Sequence, residues 1–505
     1  MFITIIRTID MADKSKFHYL NFLSPPTTEI SHFLAEDNQL VICDGVNPSY
    51  KLGSLVKDSG YTKIGAGQLE AGKSILGLHN FRQSASVQKL LATVDNAAGT
   101  GTQMFYSTGG NWTELTDAET AWVAEANRSI EMEDFIGYCF FVGFNFTAGG
   151  WTSPRSLTGT TFGTTNTTSM PNAKYIKRYR DRLYIANCYN AATQPYRVYF
   201  SSVPSAGAIT WTPASDFLDV DYSEEITGLG VNFDRLMIFT KTSTYLYNQD
   251  ELKKSWDIGC INHRTICNLD ASIIWVDNNN VWASTSGGRP EPIGNNIMEL
   301  LKSSVASGNT PHACVTDREY HLYLGTAVSA NGITYTNCVA TWNAATNMWR
   351  WREYADIPSI FATFYTSGQF MQVFGTSTGY VMSKYKMTDA LTGTNRNSDN
   401  GSPISAWFRT KAYDFGDPTI QKNISKIIAY CENGIGLDFR FRVFNKNNES
   451  LSNFTHIMNL EKVINIKDRD LDGHFIQFEG KDYSTKYPFI FHGFSVLLDP
   501  FDRAK

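Results

Sequence analysis

Two stretches combine residue types and spacing that could do chemistry. Gly67-Gln68-Leu69-Glu70-Ala71-Gly72-Lys73-Ser74 matches the phosphate-binding pattern G-x-x-x-x-G-K-[ST] letter for letter. In such a loop backbone amides cradle phosphates, the Lys reaches the β- and γ-phosphates, and the Ser holds Mg²⁺. That chemistry needs a buried parallel strand before the loop and a helix after it. Here Tyr61-Thr62-Lys63-Ile64 is short and half polar, while Ile75-Leu76-Gly77-Leu78-His79-Asn80 carries a Gly and a turn-forming pair. No alternating βαβ pattern accompanies the motif, so it reads as a Gly-punctuated turn and no nucleotide cofactor is expected.

The second stretch is Asp468-Arg469-Asp470-Leu471-Asp472-Gly473-His474 with Glu479, which matches the calcium-loop spacing D-x-D-x-D-G-x5-E. Its candidate metal ligands are Asp468, Asp470, Asp472 and Glu479. Three carboxylates, a Gly at the bend and a bidentate Glu are the oxygen set calcium takes. An EF-hand sets helices on both sides of its loop. Val463-Ile464-Asn465-Ile466 and Phe475-Ile476-Gln477-Phe478 alternate like strands instead. The favoured reading is an acidic hairpin turn, with a calcium turn as the alternative.

Catalytic constellations are harder to assemble. Ser107-Thr108-Gly109-Gly110-Asn111-Trp112 is similar to the aspartate box of sialidase propellers but lacks the aspartate. Sialidases also need an arginine cluster and a Tyr/Glu pair. His263-Arg264 and His321 read as packed or turn residues. Neither G-x-S-x-G, H-E-x-x-H nor G-x-G-x-x-G occurs in a fitting context, which leaves these common frames without support. The chain is therefore expected to be no enzyme.

The elements around these stretches repeat. A short apolar run, a Gly/Asn/Asp turn, a second apolar run and a Trp recur in Met104-Phe105-Tyr106 to Trp112-Thr113 and in Val198-Tyr199-Phe200-Ser201 to Trp211-Thr212. The pattern loosens at Cys338-Val339-Ala340-Thr341-Trp342 to Trp349-Arg350-Trp351. Recurrence every ~40–50 residues predicts a propeller or solenoid. Counting the strand–turn–strand units gives an all-β chain whose propeller has about six or seven blades.

Four segments follow: an extended N-terminal arm (1–70) with one or two strands such as Leu40-Val41-Ile42-Cys43, the β-propeller (71–387), a polar linker (388–402) and a C-terminal β-sandwich of alternating strands (403–505). Residues 157–172 read as a Thr/Gly/Asn loop with little to bury. Ile297-Met298-Glu299-Leu300-Leu301 predicts a short helix. Met11-Ala12-Asp13-Lys14 reads as a natural start.

Composition narrows the class. Charged residues are 18% of the 505 and aromatics 13%. Low charge leaves much of the surface for partners, and the ring content suits strands. A net charge of -5 argues against a surface that coats nucleic acid. Eight cysteines without a CxxC pair read as buried free thiols, with a disulfide framework as the alternative. No run approaches a membrane-spanning length, and no membrane anchor is expected.

Several segments together resemble the tail-hub and tail-nozzle proteins (tail tubular protein B-like) of short-tailed bacteriophages. They are Ile226 to Val231, Asp234 to Tyr247, and Ile258 to Ile266, where the family has a comparable "G-C/I-x-x-x-x-S/T" turn. Ile274-Trp275-Val276, Val281-Trp282, Pro290 to Gly294, Ile297 to Leu301 and Trp407-Phe408-Arg409-Thr410 continue the resemblance. It covers about 70–500 and is best over 175–385. It implies a virion protein made in the cytoplasm of a bacterial host, a homo-hexamer that extends the tail channel below the portal. The implied partners are the tail adaptor protein, tail fibre, tailspike or needle proteins, and genomic DNA passing without sequence-specific binding. Acidic rings from loops such as Asp216 to Glu225 are expected to line the channel. The alternative is a glycan-binding or glycan-hydrolysing propeller, sialidase-like; a third class is a P-loop ATPase.

Overall fold

The computed structural model describes residues 16–500 apart from 21, 23, 85, 367, 388–396, 417, 420, 433–436, 445–448, 452–454, 458–460, 466–472 and 485–488. Among the described residues, seven four-stranded antiparallel units follow one another. Their innermost strands are Ile75–Arg82, Ser129–Phe135, Asn172–Tyr179, Ile226–Asn232, Cys267–Leu269, His312–Thr316 and Pro358–Thr366. The fold is a seven-bladed β-propeller.

Local sequence explains the blades. Second strands such as Tyr138–Phe144 and Ser272–Val276 are apolar nearly throughout, because each is covered on both faces by neighbouring blades. The first hairpin of blade 2 turns on Ile136 and Gly137, both with positive φ, the backbone a two-residue hairpin loop requires. A separate apolar cluster fills most blade boundaries. Leu91, Trp122, Phe141 and Phe162 lie between blades 1 and 2, and Phe140, Ile176, Ile185 and Trp211 between blades 2 and 3.

The recurrent tryptophans fasten blades to the crossings that enter them. Their indole N–H groups donate to backbone carbonyls: Trp112 to Ile64 at 2.8 Å, Trp211 to Asn166 at 3.1 Å and Trp349 to Ile293 at 2.6 Å. The helix Met298–Ala306 lies in the crossing from blade 5 to blade 6, where a shorter helix was expected. A second helix, Thr116–Ala121, lies between blades 1 and 2.

Three segment readings need correction. The N-terminal segment has the expected strand at Leu40–Asp44 but is more than an arm with one or two strands. Tyr61–Lys63 pairs with Val381–Lys384 as the outermost strand of blade 7, closing the ring with chain from before blade 1. Upstream, Leu55–Lys57 and Lys16–Leu20 pair with Ile490–Pro500, and Leu40–Asp44 pairs with Ala406–Tyr413. The expected linker is half structure: 388–396 lie outside the described residues, but Ser398–Asp399 and Ser402–Pro403 form a hairpin on Tyr61–Lys63. Residues 157–172 are not simply loop. Arg155–Thr158 and Thr161–Gly163 are the outer strands of blade 2, and Phe162 packs 4.8 Å from Trp122.

The C-terminal strands form the expected sandwich, completed by the N-terminal ones. One sheet runs through Leu55–Lys57, Ile490–Pro500, Lys422–Glu432 and Glu461–Asn465; the other through Leu40–Asp44, Ala406–Tyr413, Phe475–Asp482 and Leu437–Phe444. Phe22, Phe408, Phe439, Phe478, Phe491 and Phe494 fill the space between. Leu40–Asp44 also runs parallel to Met348–Glu353, so the second sheet continues into blade 6.

Candidate functional sites: the propeller axis and the junction cavity

The phosphate-loop stretch lies between the closing strand and blade 1. Ile75–Arg82 after it is a strand, so no helix N-terminus faces the loop. Its own bonds hold it against blade 7: Leu69 N–H donates to Gly379 O and the Gln68 side chain to Thr378 O.

Of the calcium candidates, Asp468, Asp470 and Asp472 lie outside the described residues. Glu479 is described, and its environment corrects the ligand reading. It is fully buried in mid-strand of Phe475–Asp482. Its carboxylate accepts from Arg440 at 3.0 Å, Arg442 at 3.2 Å and Arg409 at 3.5 Å. Burial pushes this carboxyl up, but the arginines prevail and hold it below its ordinary range. An oxygen so engaged is committed to guanidinium groups.

Three carboxylates of the acidic loop are already engaged within the chain. Asp219 is bound by Arg197 at 2.6 and 2.7 Å, and Glu225 accepts from Lys174 at 2.9 Å. Glu224 accepts from Ser243. Asp221 is exposed and accepts from the Ser223 N–H and hydroxyl.

The propeller axis is closed by a side chain the sequence placed in a turn. His263-Arg264 begins a single 3-10 turn, His263–Thr265, in the crossing into blade 5, capped by the Asn262 side chain. From there Arg264 reaches the far side of the ring. It donates to Glu131 Oε1 at 2.7 Å, Leu76 O at 2.8 Å and Ile130 O at 3.2 Å. A guanidinium is suited to this because its planar fork serves several acceptors at once. His263 Nδ1 accepts the Leu229 N–H at 3.2 Å, and burial lowers its pKa. Behind the plug a cavity of about 150 Å³ is lined by His79, Met132, Cys267 and Phe361.

A larger cavity, about 430 Å³, opens where blades 6 and 7 meet the N-terminal segment, lined among others by Asp58, Glu319, His321, Arg350 and Lys384. Arg350 grips Glu319 through two bonds of 2.7 and 2.6 Å, and Lys384 bonds Asp58 at 3.1 Å. Burial pushes Glu319 up, but Arg350 outweighs it and holds the carboxyl at about 2. His321 is lowered to about 3 by burial and sits neutral between Thr316 and Thr341. These charges pair with one another where blades 6 and 7 meet the N-terminal segment.

Sequence reasoning missed one further trio, His79, Asp134 and Cys139, whose ligand atoms lie within 4.8 Å of one another. A signal was available. Asp134 and Cys139 are equidistant from the Ile136-Gly137 turn, so a two-residue hairpin places them opposite each other, as found.

No family model matches this chain, and no curated protein does. Among solved structures it is similar to BBS1N in complex with ARL6DN, with TM-score 0.39, 11% identity, and 70% of this chain and 98% of that chain covered. It is also similar to the Neurospora crassa Pan2 WD40 domain, with TM-score 0.39, 8% identity, and 65% and 96% covered. The propeller assignment rests on the seven sheets and their order, not on these likenesses. Among the described residues no helix is long and apolar enough to cross a membrane.

Proposed function

We propose that this chain is a structural virion protein, a subunit of a hexameric tail hub or nozzle of a short-tailed bacteriophage. The observation that carries the reading is the closed axis. With Arg264 bridging blades 1, 2 and 5, the centre of one disc is obstructed as a passage for DNA. DNA would pass through a ring of discs, below portal and adaptor, and not through one disc. The sheet shared by blade 6 and the sandwich makes the chain a stiff building block suited to carrying fibres, spikes or a needle. Large apolar side chains stand exposed on both faces: Val123, Phe146 and Tyr222 on the face of the blade crossings, Phe233 and Phe370 on the other. Permanent subunit contacts would cover such groups. A net charge of -5 suits a channel wall that does not retain phosphates.

A second reading, glycan binding, draws on one cluster at blades 2 and 3. Trp151 and Tyr189 stack at 6.0 Å beside Phe144 and Phe146, with Lys174 4.4 Å from the Phe144 ring centre. Its hydrolytic version is disfavoured, because the one triple-arginine cluster described above lies in the sandwich and already holds Glu479.

Negative-stain imaging of the purified protein, and of particles carrying it, tests the proposal. Six-fold rings, at a capsid vertex in the particles, are expected. Lone monomers that bind or cleave glycans would overturn it.

A further inference from the structure

We propose that His79, Asp134 and Cys139 form a binding site for one divalent transition-metal ion of zinc type, clamping blade 1 to blade 2. His79 comes from the inner strand of blade 1. Asp134 and Cys139 face each other across the first hairpin of blade 2. Both elements are regular strands, so the three donors are held by rigid backbone. Their ligand atoms lie within 4.8 Å of one another, with His79 Nε2 2.9 Å from Asp134 Oδ1. Zinc bonds of about 2.0–2.3 Å in a tetrahedral site set ligand atoms about 3.3–3.8 Å apart. The trio therefore needs adjustments of an ångström or less, within side-chain reach.

The donor set selects the metal class. Nitrogen, carboxylate oxygen and sulfur together suit zinc, cobalt or nickel, whereas calcium and magnesium take oxygen alone. The surroundings resemble a built site. The Arg82 backbone N–H donates to Asp134 Oδ2 at 2.7 Å, fixing the carboxylate so that Oδ1 faces His79. Such orienting bonds are a regular feature of metal centres. Cys139 is fully buried, while about a quarter of the His79 and Asp134 side chains reaches solvent. Three protein ligands with one side open leave a fourth position for water. His79 also lines the axial cavity, and the exposed quarter of the His79 and Asp134 side chains gives an ion access from solvent. On binding, the S–H bond breaks, sulfur binds the metal as thiolate and that proton leaves to solvent; the Nε2 proton that His79 donates to Asp134 leaves to solvent or is replaced by one on Nδ1, freeing the Nε2 lone pair, with no change of oxidation state.

Cobalt(II) titration of the chelator-treated full chain tests this, because a thiolate–cobalt charge-transfer band reports the sulfur directly. One equivalent should produce the band in the wild type and in Cys267→Ser. Cys139→Ser should abolish it, and His79→Gln and Asp134→Asn should weaken affinity at least tenfold, with circular dichroism confirming that each variant is folded. One equivalent of zinc should displace the cobalt and raise the melting temperature. A folded wild-type protein without the band overturns the proposal, whatever the variants do. So does a band that persists in Cys139→Ser, which would place the metal on another thiol.

Discussion

Lys57 Nζ lies 3.0 Å from Asp482 Oδ1, with both side chains wholly shielded from solvent. The two residues stand 425 positions apart, one from each sheet of the sandwich, so this pair fastens the N-terminal segment to the C-terminal strands. Burial pushes the Lys57 ammonium below its ordinary pKa; Asp482 opposes that. Lys57→Ala leaves a buried carboxylate without its cation and is expected to cost about 3–5 kcal/mol. Lys57→Met with Asp482→Leu should recover most of that loss, since an apolar pair of similar volume removes both desolvation penalties. Urea unfolding of the three proteins decides the matter. A single variant within about 0.5 kcal/mol of wild type, the ordinary range of surface substitutions, would mean the pair contributes nothing.

Ring closure depends on a close backbone approach beside the latch strand. A Cβ on Gly60 would stand 1.9 Å from Ser398 O, whereas one on Gly67 meets nothing within 4 Å. Gly60→Ala must push the Ser398–Asp399 hairpin away from Tyr61–Lys63, an overpacking cost of about 1–3 kcal/mol. Gly67→Ala, seven residues on in the phosphate-loop-like stretch, should stay within about 0.5 kcal/mol of wild type. Thermal melts of both variants test the contrast, and equal melting temperatures would show that the latch yields without cost.

The blades were legible because each carries its own signal, apolar strands separated by Asn/Gly turns, and several add a Trp that marks the return. Trp112, Trp211 and Trp349 mark blades wherever they occur, since their indoles bond the entering crossing. Partners distant in sequence were not legible. Nothing local in Tyr61-Thr62-Lys63 says that it joins Val381–Lys384, and nothing in Leu40–Asp44 names Ala406–Tyr413. Blade 2's outer strands read as loop because Thr, Gly and Asn dominate the stretch around them; the buried Leu157 and Phe162 mark the strands. Of the site residues, Glu479 fitted a calcium spacing by its position in the chain, but its strand delivers it to three arginines. Arg264 was read as a turn residue because its acceptors lie 133 to 188 positions away.

Asp44 gives the fold a pH dependence of definite sign. It is buried where Leu40–Asp44 joins blade 6, and burial pushes its carboxyl up to about 7, against the Glu353 N–H that favours the charge. The unfolded value is about 3.9. A carboxyl raised on folding stabilises fully below the unfolded value and loses that contribution as pH climbs to the folded one. Stability should therefore fall between about pH 4 and 7, by on the order of 4 kcal/mol from this group. Glu319 acts oppositely: Arg350 overcomes burial and holds it at about 2, so its contribution disappears as pH drops below about 4. Asp44→Asn should flatten the limb from pH 4 to 7 and leave the acid limb in place. Unfolding free energies across that range check this, and an unchanged slope in Asp44→Asn would locate the dependence elsewhere.

If one guanidinium shuts the axis, its shape should matter as much as its charge. Arg264→Lys keeps the cation but cannot serve Glu131, Leu76 O and Ile130 O together, so at least one buried acceptor is left unmatched. The expected loss is about 1–3 kcal/mol. Arg264→Ala also strands Glu131 in a mostly buried position and should cost about 3 kcal/mol or more. Hydrogen exchange separates a plug from a general stabiliser. Loss of the plug exposes the inner strands Ile75–Arg82 and Ser129–Phe135, whose amides should exchange faster, while the sandwich strand Leu437–Phe444, packed in a different core, keeps its protection. Faster exchange in both places would make Arg264 a stabiliser of the whole chain. Unchanged exchange at the inner strands would mean that packing of the seven blades closes the axis without it.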